Sequence, residues 1–425
     1  MLTNNVAALE RSKGVSRDEA LAILERVRDY GERPLPVTRL LEERPEASVV
    51  VASADNADLD GMTQVLARMN PAGLIAGMRV LLVASGAERA VLVLRSPADA
   101  PAITAAASDA GIELTVEISD MVDARGHKNG LMLNIETLAA IADFLSGAKP
   151  GVILSLGECS PRELPFGTPL SELTSACGIK AISIGHRFLA PDALDEPVSG
   201  EKSYGSGVLR FFGEDDCLVE RARRELSALR MRSCGKCVIC REGLYQLAAI
   251  FIDATENRSR KDDRSMIEEL AAAMTDSARC PLGRAAGASA ASLVSAFGSE
   301  FEEHVKRHHC TAGECLAYTT FYVDPDVCQG CGECVRACPA SCIEGRPGYV
   351  SVVDAFACTR CGACVASCPS GAVKKTTESA PKLPDRQVRV RGGSARPDDG
   401  SEEPTRGRTP ARRGRTTLVM PGKKP

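Results

Sequence analysis

Cys328-Gln329-Gly330-Cys331-Gly332-Glu333-Cys334-Val335-Arg336-Ala337-Cys338-Pro339 is echoed thirty residues on by Cys358-Thr359-Arg360-Cys361-Gly362-Ala363-Cys364-Val365-Ala366-Ser367-Cys368-Pro369. Both read C-x2-C-x2-C-x3-C-P, the run that holds a pair of [4Fe–4S] clusters. In such a run three closely spaced thiolates wrap one cubane and the fourth reaches across to the other. One cluster is therefore expected on Cys328, Cys331, Cys334 and Cys368, and its twin on Cys358, Cys361, Cys364 and Cys338. Two zinc knuckles are the competing reading, but zinc needs four ligands per site and no x3-C-P step. The pattern predicts a protein that moves electrons.

The remaining composition agrees with a soluble chain of about three domains. Of 425 residues, 44% are hydrophobic and 25% charged, ordinary values for a globular protein. The most apolar stretch, Gly73 to Leu94, is broken by Arg79, Glu88 and Arg89, so no membrane insertion is expected. The first residues, MLTNNVAALERSKG, lack the apolar core of a secretory signal. Tight C-x2-C spacing among 18 cysteines favours reduced, metal-bound thiolates over disulfides, and hence a cytoplasmic location. The last segment, from Lys374, carries 14 Lys or Arg against 6 Asp or Glu and is rich in Pro, Gly, Ser and Thr. Such a composition cannot bury enough apolar surface to fold, and a disordered basic tail is expected. Its charge alone is a weak argument for nucleic acid, and none is expected as a partner.

A second cysteine set lies upstream. Ser233-Cys234-Gly235-Lys236-Cys237-Val238-Ile239-Cys240-Arg241-Glu242-Gly243 is followed by a lone Cys280 in Ala278-Arg279-Cys280-Pro281-Leu282-Gly283. Three cysteines at this spacing can take three corners of a cubane and a distant fourth can complete it; a structural zinc is the alternative. Apolar residues at i, i+3 and i+4 predict helices over Leu218 to Met231, Leu244 to Ala254, Ser265 to Met274 and Ala285 to Val305. These would form a four-helix bundle with the cysteines in its end loops.

SCGKCVICREG with CPLG resembles the iron–sulfur region of the NADH-oxidising flavoprotein subunit of respiratory complex I. The closer similarity is to the beta subunits of electron-bifurcating hydrogenases, which add a two-cluster ferredoxin domain. Asn134-Ile135-Glu136-Thr137-Leu138 is similar to the family's N-V-E-T-L. Leu164-Pro165-Phe166-Gly167-Thr168-Pro169-Leu170-Ser171-Glu172-Leu173 resembles its β-grasp domain, and Tyr204-Gly205-Ser206-Gly207 with Asp216-Cys217-Leu218-Val219 its entry to the bundle. The resemblance implies a [4Fe–4S] cluster on Cys234, Cys237, Cys240 and Cys280, and is strong from about 130 to 373. It implies an α+β multidomain fold: a degenerate α/β flavin-domain remnant (1–146), a β-grasp domain (147–210), the helical iron–sulfur bundle (211–309), a ferredoxin domain with two [4Fe–4S] clusters (310–373) and the disordered tail (374–425).

The chain departs from the family where the family binds FMN and NADH. In place of the loop G-R-G-G-A-G-F-P-T-G stands Tyr30-Gly31-Glu32-Arg33-Pro34-Leu35-Pro36-Val37-Thr38-Arg39. One glycine survives, and two prolines fix φ and remove N–H donors. For N-A-D-E-G-E-P-G-T the chain has Ser53-Ala54-Asp55-Asn56-Ala57-Asp58-Leu59-Asp60-Gly61, where Asp58 and Asp60 add charge beside any phosphate. The segment around the family's G-E-E-T is missing between Met121-Val122-Asp123-Ala124-Arg125-Gly126 and Asn134. The scaffold is expected to persist, with strands over Ser48 to Ala52, Val80 to Ala84, Ala90 to Leu94 and Ile112 to Ile118, and helices over Asp18 to Arg28 and Asp99 to Ala110. A backbone-cradled phosphate needs permissive backbone, so neither FMN nor NAD is expected.

Cys310-Thr311-Ala312-Gly313-Glu314-Cys315 resembles a C-P-A-G-x-C segment of the related beta subunits, which has a histidine six residues earlier, the position of His304. With Cys217 this gives one imidazole and three thiolates, a set suited to a closed structural zinc; two buried cysteines and a surface histidine are the alternative. His308 and His309 are expected to face solvent. Cys342, aligned with Ala372 in the internal repeat, is expected to pack as a small apolar residue, and Cys159 and Cys177 are read as structural. No catalytic nucleophile or acid–base pair stands out. The expectation is an electron-transfer subunit with three [4Fe–4S] clusters, working with other oxidoreductase subunits of flavin, molybdenum or hydrogenase type, a thioredoxin-fold [2Fe–2S] subunit or a ferredoxin. An FMN-dependent NADH dehydrogenase subunit and an iron–sulfur scaffold or redox sensor are the alternatives.

Overall fold

The computed structural model describes residues 4–30, 34–119, 127, 129–149, 151–157, 161–377, 381 and 387–390. The chain divides into two compact units, residues 1–321 with 375–381 and residues 322–374 with 382–425.

The first unit opens with α1 (Val6–Ser12), α2 (Arg17–Leu24) and α3 (Val37–Glu42) before β1 (Val49–Ser53). All five residues of β1 are buried, and the run Val-Val-Val-Ala-Ser suits a strand covered on both faces. After it come α4 (Met62–Met69), α5 (Pro71–Ser85), β2 (Arg89–Leu94), α6 (Ala100–Asp109), β3 (Leu114–Ile118), β4 (Gly130–Asn134) and α7 (Ile135–Ser146). The strands form one parallel sheet in the order β3-β2-β1-β4, with Val51 opposite Val91 on one side and Met132 on the other. The winding reverses between β1 and β4. In open α/β sheets ligands bind outside the C-terminal strand ends at such a switch point, here beside Ser53 and Asn134.

The strand expected over Val80 to Ala84 is part of α5 instead. Asn70 accepts the Gly73 N–H at the start of that helix, Pro71 takes its first position, and Gly86 ends it in the left-handed region. Leu74, Ile75, Met78, Val80 and Leu81 are all buried, so the helix has no polar stripe to reveal its period, and an apolar run of this length does not discriminate strand from helix. The other three strands and α6 lie within two residues of expectation, while α2 stops at Leu24. The segment 121–126 and residues 31–33 of the degenerate loop lie outside the described residues.

Residues 151–212, where the β-grasp domain was expected, hold two antiparallel sheets: β5 (Gly151–Ser155) with β6 (Pro161–Pro165), and β7 (Ala181–Ile184) between β8 (Arg187–Leu189) and β9 (Leu209–Phe212). Val152, Leu164, Ile182 and Leu209 form their own apolar core. Helices α8 (Leu218–Arg232), α9 (Val238–Thr255), α10 (Asp263–Ser277), α11 (Pro281–Ala296) and α12 (Gly298–Lys306) follow. The helix expected over Ala285 to Val305 is thus two. Phe297 leaves the helical region (φ −126°, ψ 32°), and a Cβ on Gly298 would come within 2.8 Å of the Arg264 guanidinium. Leu226, Leu244, Phe251, Met274, Leu293 and Phe301 fill the centre of this helical layer.

The second unit is made of short pieces. Two-stranded pairings join β10 (Thr320–Val323) with β13 (Val373–Thr376) and β11 (Ile343–Glu344) with β12 (Val352–Val353), and α13 (Glu333–Ala337) and α14 (Ala363–Ala366) are one turn each. Where a disordered tail was expected, residues 387–390 run beside Gly348–Val350: the Val350 N–H donates to the Val388 carbonyl (2.8 Å) and the Val390 N–H to that of Gly348 (3.1 Å). Residues beyond 390 lie outside the described residues. Among the described residues no single helix is long and apolar enough to cross a membrane.

Helix α5 crosses α7 at Gly77, where an added Cβ would lie 2.2 Å from the Leu138 carbonyl oxygen and 2.7 Å from its Cα. Backbone cannot retreat as a side-chain end can. Gly77→Ala is expected to cost about 1–3 kcal/mol, read as a lower apparent melting midpoint by far-ultraviolet circular dichroism. An unchanged midpoint would mean that the two helices are not in contact there.

Candidate metal centres

The helical layer brings Cys234, Cys237, Cys240 and Cys280 to one end. Cys237 caps α9 in an extended conformation (φ −93°, ψ 118°) and Cys240 lies in its first turn. Cys280 caps α11 in the same way (φ −128°, ψ 163°), with Pro281 at the first helical position, where its missing N–H costs nothing. Three sulfurs therefore sit at the N-termini of helices of 18 and 16 residues, whose unpaired N–H groups and dipoles favour negative charge. Cys240 is buried, Cys237 and Cys280 half-buried and Cys234 exposed. Burial pushes the Cys240 thiol up to about 11; the charges of Cys280, Cys237 and Cys234 add to this, and the Ser233 hydroxyl 3.8 Å away opposes it. The glycine of CPLG has a steric reason that its sequence did not disclose. A Cβ on Gly283 would lie 3.2 Å from both Cβ and Sγ of Cys240 and 2.7 Å from the Ala278 methyl.

In the second unit the sequence repeat becomes a structural one. Gly332 and Gly362, in the left-handed region at φ 75° and 76°, start α13 and α14. The Gly330 N–H donates to Cys328 Sγ and the Arg360 N–H to Cys358 Sγ, both at 3.4 Å, and Arg360 takes a positive φ (59°) like Gly330. In each half one cysteine is exposed (Cys331, Cys361), one buried (Cys334, Cys364) and two half-buried (Cys328 and Cys338; Cys358 and Cys368). Cys368 Sγ accepts the Ala372 N–H at 3.2 Å. Cys342 is buried and has sulfur for neighbours. Its thiol lies 3.4 Å from Cys338 Sγ and is pushed up to about 12, by burial first and then by Cys338 and Cys358. The Cys342 thiol thus has Cys338 from its own half and Cys358 from the other as sulfur neighbours.

Cys217, His304, Cys310 and Cys315 also converge. Their ligand atoms all lie within 4.8 Å of one another, and all four residues are buried. Cys217 caps α8, His304 closes α12, and the other two lie in the loop beyond. The His304 Nδ1–H donates to the Glu300 carbonyl (2.9 Å), which leaves the Nε2 lone pair facing Cys217 Sγ at 3.4 Å and Cys315 Sγ at 3.6 Å. That is the tautomer a metal-binding imidazole needs. Donors from Cys217 and Cys315 hold the Cys310 thiol far below the usual thiol range. Of the neighbouring histidines His308 is exposed, while His309 is half-buried 3.6 Å from Glu303. Cys177 is exposed, so it does not pack in a core as its structural reading requires, and Cys159 lies outside the described residues.

At the switch point of the parallel sheet stands an internal carboxylate, Asp29. Asp29 Oδ1 accepts the Asn134 N–H (2.9 Å) and the Thr137 hydroxyl (2.6 Å), and Oδ2 accepts the Asn134 side-chain amide (2.9 Å). These donors stand at the start of α7, the kind of site that binds anions. Asp55, Asp58 and Glu136 are buried nearby. Glu136 Oε2 has no hydrogen-bond partner, and burial, then the charges of Asp55, Asp58 and Asp29, raise its carboxyl well above the usual range. The cavity left beside Asp29, Tyr30, Met62 and Glu136 is about 20 Å³, against about 300–1,000 Å³ for cofactor pockets in general.

Comparison with known proteins agrees with the cysteine motifs. Residues 220–304 match the family model "NADH-ubiquinone oxidoreductase-F iron-sulfur binding region", and residues 327–373 match "4Fe-4S dicluster domain". The chain is 32% identical over 254 residues to the NADP-reducing hydrogenase subunit HndC of Solidesulfovibrio fructosivorans, covering 51% of each chain. It is 27% identical over 211 residues to an NADH-quinone oxidoreductase subunit of Mycobacterium bovis, covering 42% of this chain and 47% of that one. It thus spans about half the length of the curated relatives it matches. Its fold is similar to that of a chain in the crystal structure of an NAD+-reducing [NiFe]-hydrogenase in the H2-reduced state, with TM-score 0.59, 19% identity, and coverage of 72% of this chain and 66% of the other. Through its iron–sulfur regions the chain is related to the iron–sulfur-binding subunits of NADH-quinone oxidoreductases and to the hydrogenase subunit HndC.

Proposed function

We propose that this chain is an electron-relay subunit of a larger cytoplasmic oxidoreductase, with three [4Fe–4S] clusters, one structural zinc and no flavin or nicotinamide site of its own. The observation that carries this reading is the grouping of twelve cysteines into three fours. Cys234, Cys237, Cys240 and Cys280 would hold one cluster, Cys328, Cys331, Cys334 and Cys368 the second, and Cys358, Cys361, Cys364 and Cys338 the third. The donor set fits: it is all thiolate, and each four includes one exposed cysteine, so each cluster would have an edge near solvent for exchange with a partner. The clusters supply one-electron chemistry. The chain's own groups ligate, exclude water from the buried side and donate N–H bonds to sulfur, which ease reduction. Cys217, His304, Cys310 and Cys315 fit a closed zinc site in number, burial and tautomer.

The residues at the sheet's switch point do not fit FMN or NADH. Asp29 already accepts from the Asn134 N–H and the Thr137 hydroxyl at the start of α7, the cavity beside it is small, and three further carboxyls would face a phosphate. These features favour a flavin-domain remnant over 1–146 that serves as scaffold. Since one relative is named as a subunit of a hydrogenase and another as a subunit of a quinone oxidoreductase, the partners proposed are other subunits of such a complex, with a [2Fe–2S] subunit or a ferredoxin as the adjoining carrier.

Anaerobically purified protein is expected to contain about twelve irons and about one zinc per chain, with no flavin released by acid. Stoichiometric FMN together with bleaching of the clusters by NADH would reject the relay reading in favour of a flavoprotein. Gly283→Val should press on Cys240 and remove about four irons while leaving the zinc. Full iron content in this variant would remove the bundle cysteines from the ligand set.

A further inference from the structure

We infer that the turn from Asp55 to Gly61 is a brace for the bundle cluster, with Asn56 as its positioning residue; this rests on the proposal that Cys234, Cys237, Cys240 and Cys280 hold a [4Fe–4S] cluster. The turn leaves the C-terminal end of β1, and Asp55, Asn56, Ala57 and Asp58 are buried. Asn56 Oδ1 accepts the backbone N–H of Leu282 at 3.0 Å. Leu282 is the second residue after Cys280, and its N–H is one of those that α11 cannot satisfy by itself. Arg232, two residues before Cys234, donates from Nη1 to the Asp58 carbonyl and from Nη2 to that of Leu59 (3.4 Å). Both chain segments that bring in the ligands are therefore tied to one seven-residue turn.

The turn is stiffened from within and behind. Asp58 Oδ1 accepts the Gly61 N–H (2.9 Å), and its Oδ2 accepts the N–H and hydroxyl of Thr63 (2.8 Å each). Asp55 Oδ1 accepts the Ala57 N–H (2.8 Å). The Ala57 carbonyl accepts from His186 Nε2 (2.8 Å), whose Nδ1 lies 3.0 Å from Glu225 Oε1 on α8. Asp60 pairs with Arg210 at 2.6 Å. The acceptor is a neutral amide oxygen, so the brace fixes the loop without adding charge to it. A carboxylate in its place would keep the hydrogen bond and oppose the arrival of an electron. An apolar side chain would leave a buried N–H unpaired and loosen the Cys280 loop.

The test is redox titration of the anaerobic full-length protein, followed by electron paramagnetic resonance, with the two ferredoxin-type clusters as internal reference. Asn56→Asp is expected to keep the bundle cluster's line shape and to lower its midpoint potential, with the other two unmoved. Asn56→Leu is expected to alter the line shape and to shift the same cluster alone. If Asn56→Leu fails to fold, the isosteric Asn56→Asp decides. Potentials and line shapes that match the parent protein in every folded variant would overturn the brace. Cys280→Ala separates this from the underlying reading: a variant that keeps all its iron would show that no cluster depends on Cys280 and would overturn both.

Discussion

Four thiolates brought to one point repel one another until a cationic core stands between them, and most of this molecule is arranged around that constraint. Where the chain gathers sulfur it also gathers positive ends of peptide groups. In the helical layer these are the N-termini of α9 and α11 beneath Cys237, Cys240 and Cys280. In the second unit they are single N–H donors from Gly330, Arg360 and Ala372 to Cys328, Cys358 and Cys368. Backbone that points N–H groups inward must turn sharply, which is why Gly330, Gly332, Gly362 and even Arg360 adopt positive φ. The group of Cys217, His304, Cys310 and Cys315 differs in having one neutral imidazole among three thiols, its Nδ1–H donated to the Glu300 carbonyl.

The parallel sheet obeys an opposite logic at its switch point. A nucleotide crevice needs open space, bare N–H groups and glycine; here buried carboxyls stand at the switch point. Asp29 takes the donors of Asn134 and Thr137. The turn after β1 ties its polar groups to three neighbours: Asn56 Oδ1 to the Leu282 N–H of the helical layer, Asp60 to Arg210 on β9, and the Ala57 carbonyl to His186. A buried loop can only persist if its polar groups find partners, and one of these, the Leu282 N–H, lies two residues after Cys280.

What could be read in advance follows the range of the forces involved. An iron–sulfur motif is set by spacing over a dozen residues, so the runs Cys328 to Cys338, Cys358 to Cys368 and Cys234 to Cys240 were legible at once, and the family models match both regions. The parts that were missed depend on distant partners. Nothing near Asp29 in the sequence announces Asn134, 105 positions away, and nothing around Gly283 announces Cys240. Helix α5 read as a strand because it is apolar on nearly every side and shows no polar stripe. The division at Phe297 was hidden because both helices it separates are apolar on the same faces. The quartet with His304 came from likeness to a family, since its ligands arrive from three separate segments.

The second unit shows why metal chemistry and legibility go together. Its helices have five and four residues and its inner strands two each. Helices below about 12–15 residues are marginal by themselves in water, and hairpins this short are weaker still. Among the described residues Val323, Ile343, Val350, Ala372, Val373 and a few cysteines are its buried apolar surface. On the proposed reading the ordering free energy comes from iron–sulfur bonding rather than from a core, as in other small metal-dependent folds. A fold ordered by eight ligands must write those ligands into its sequence at fixed intervals. A fold ordered by packing, like the sheet and helices of the first unit, can spread the same information over a hundred interchangeable apolar positions, and gives up less of it to inspection.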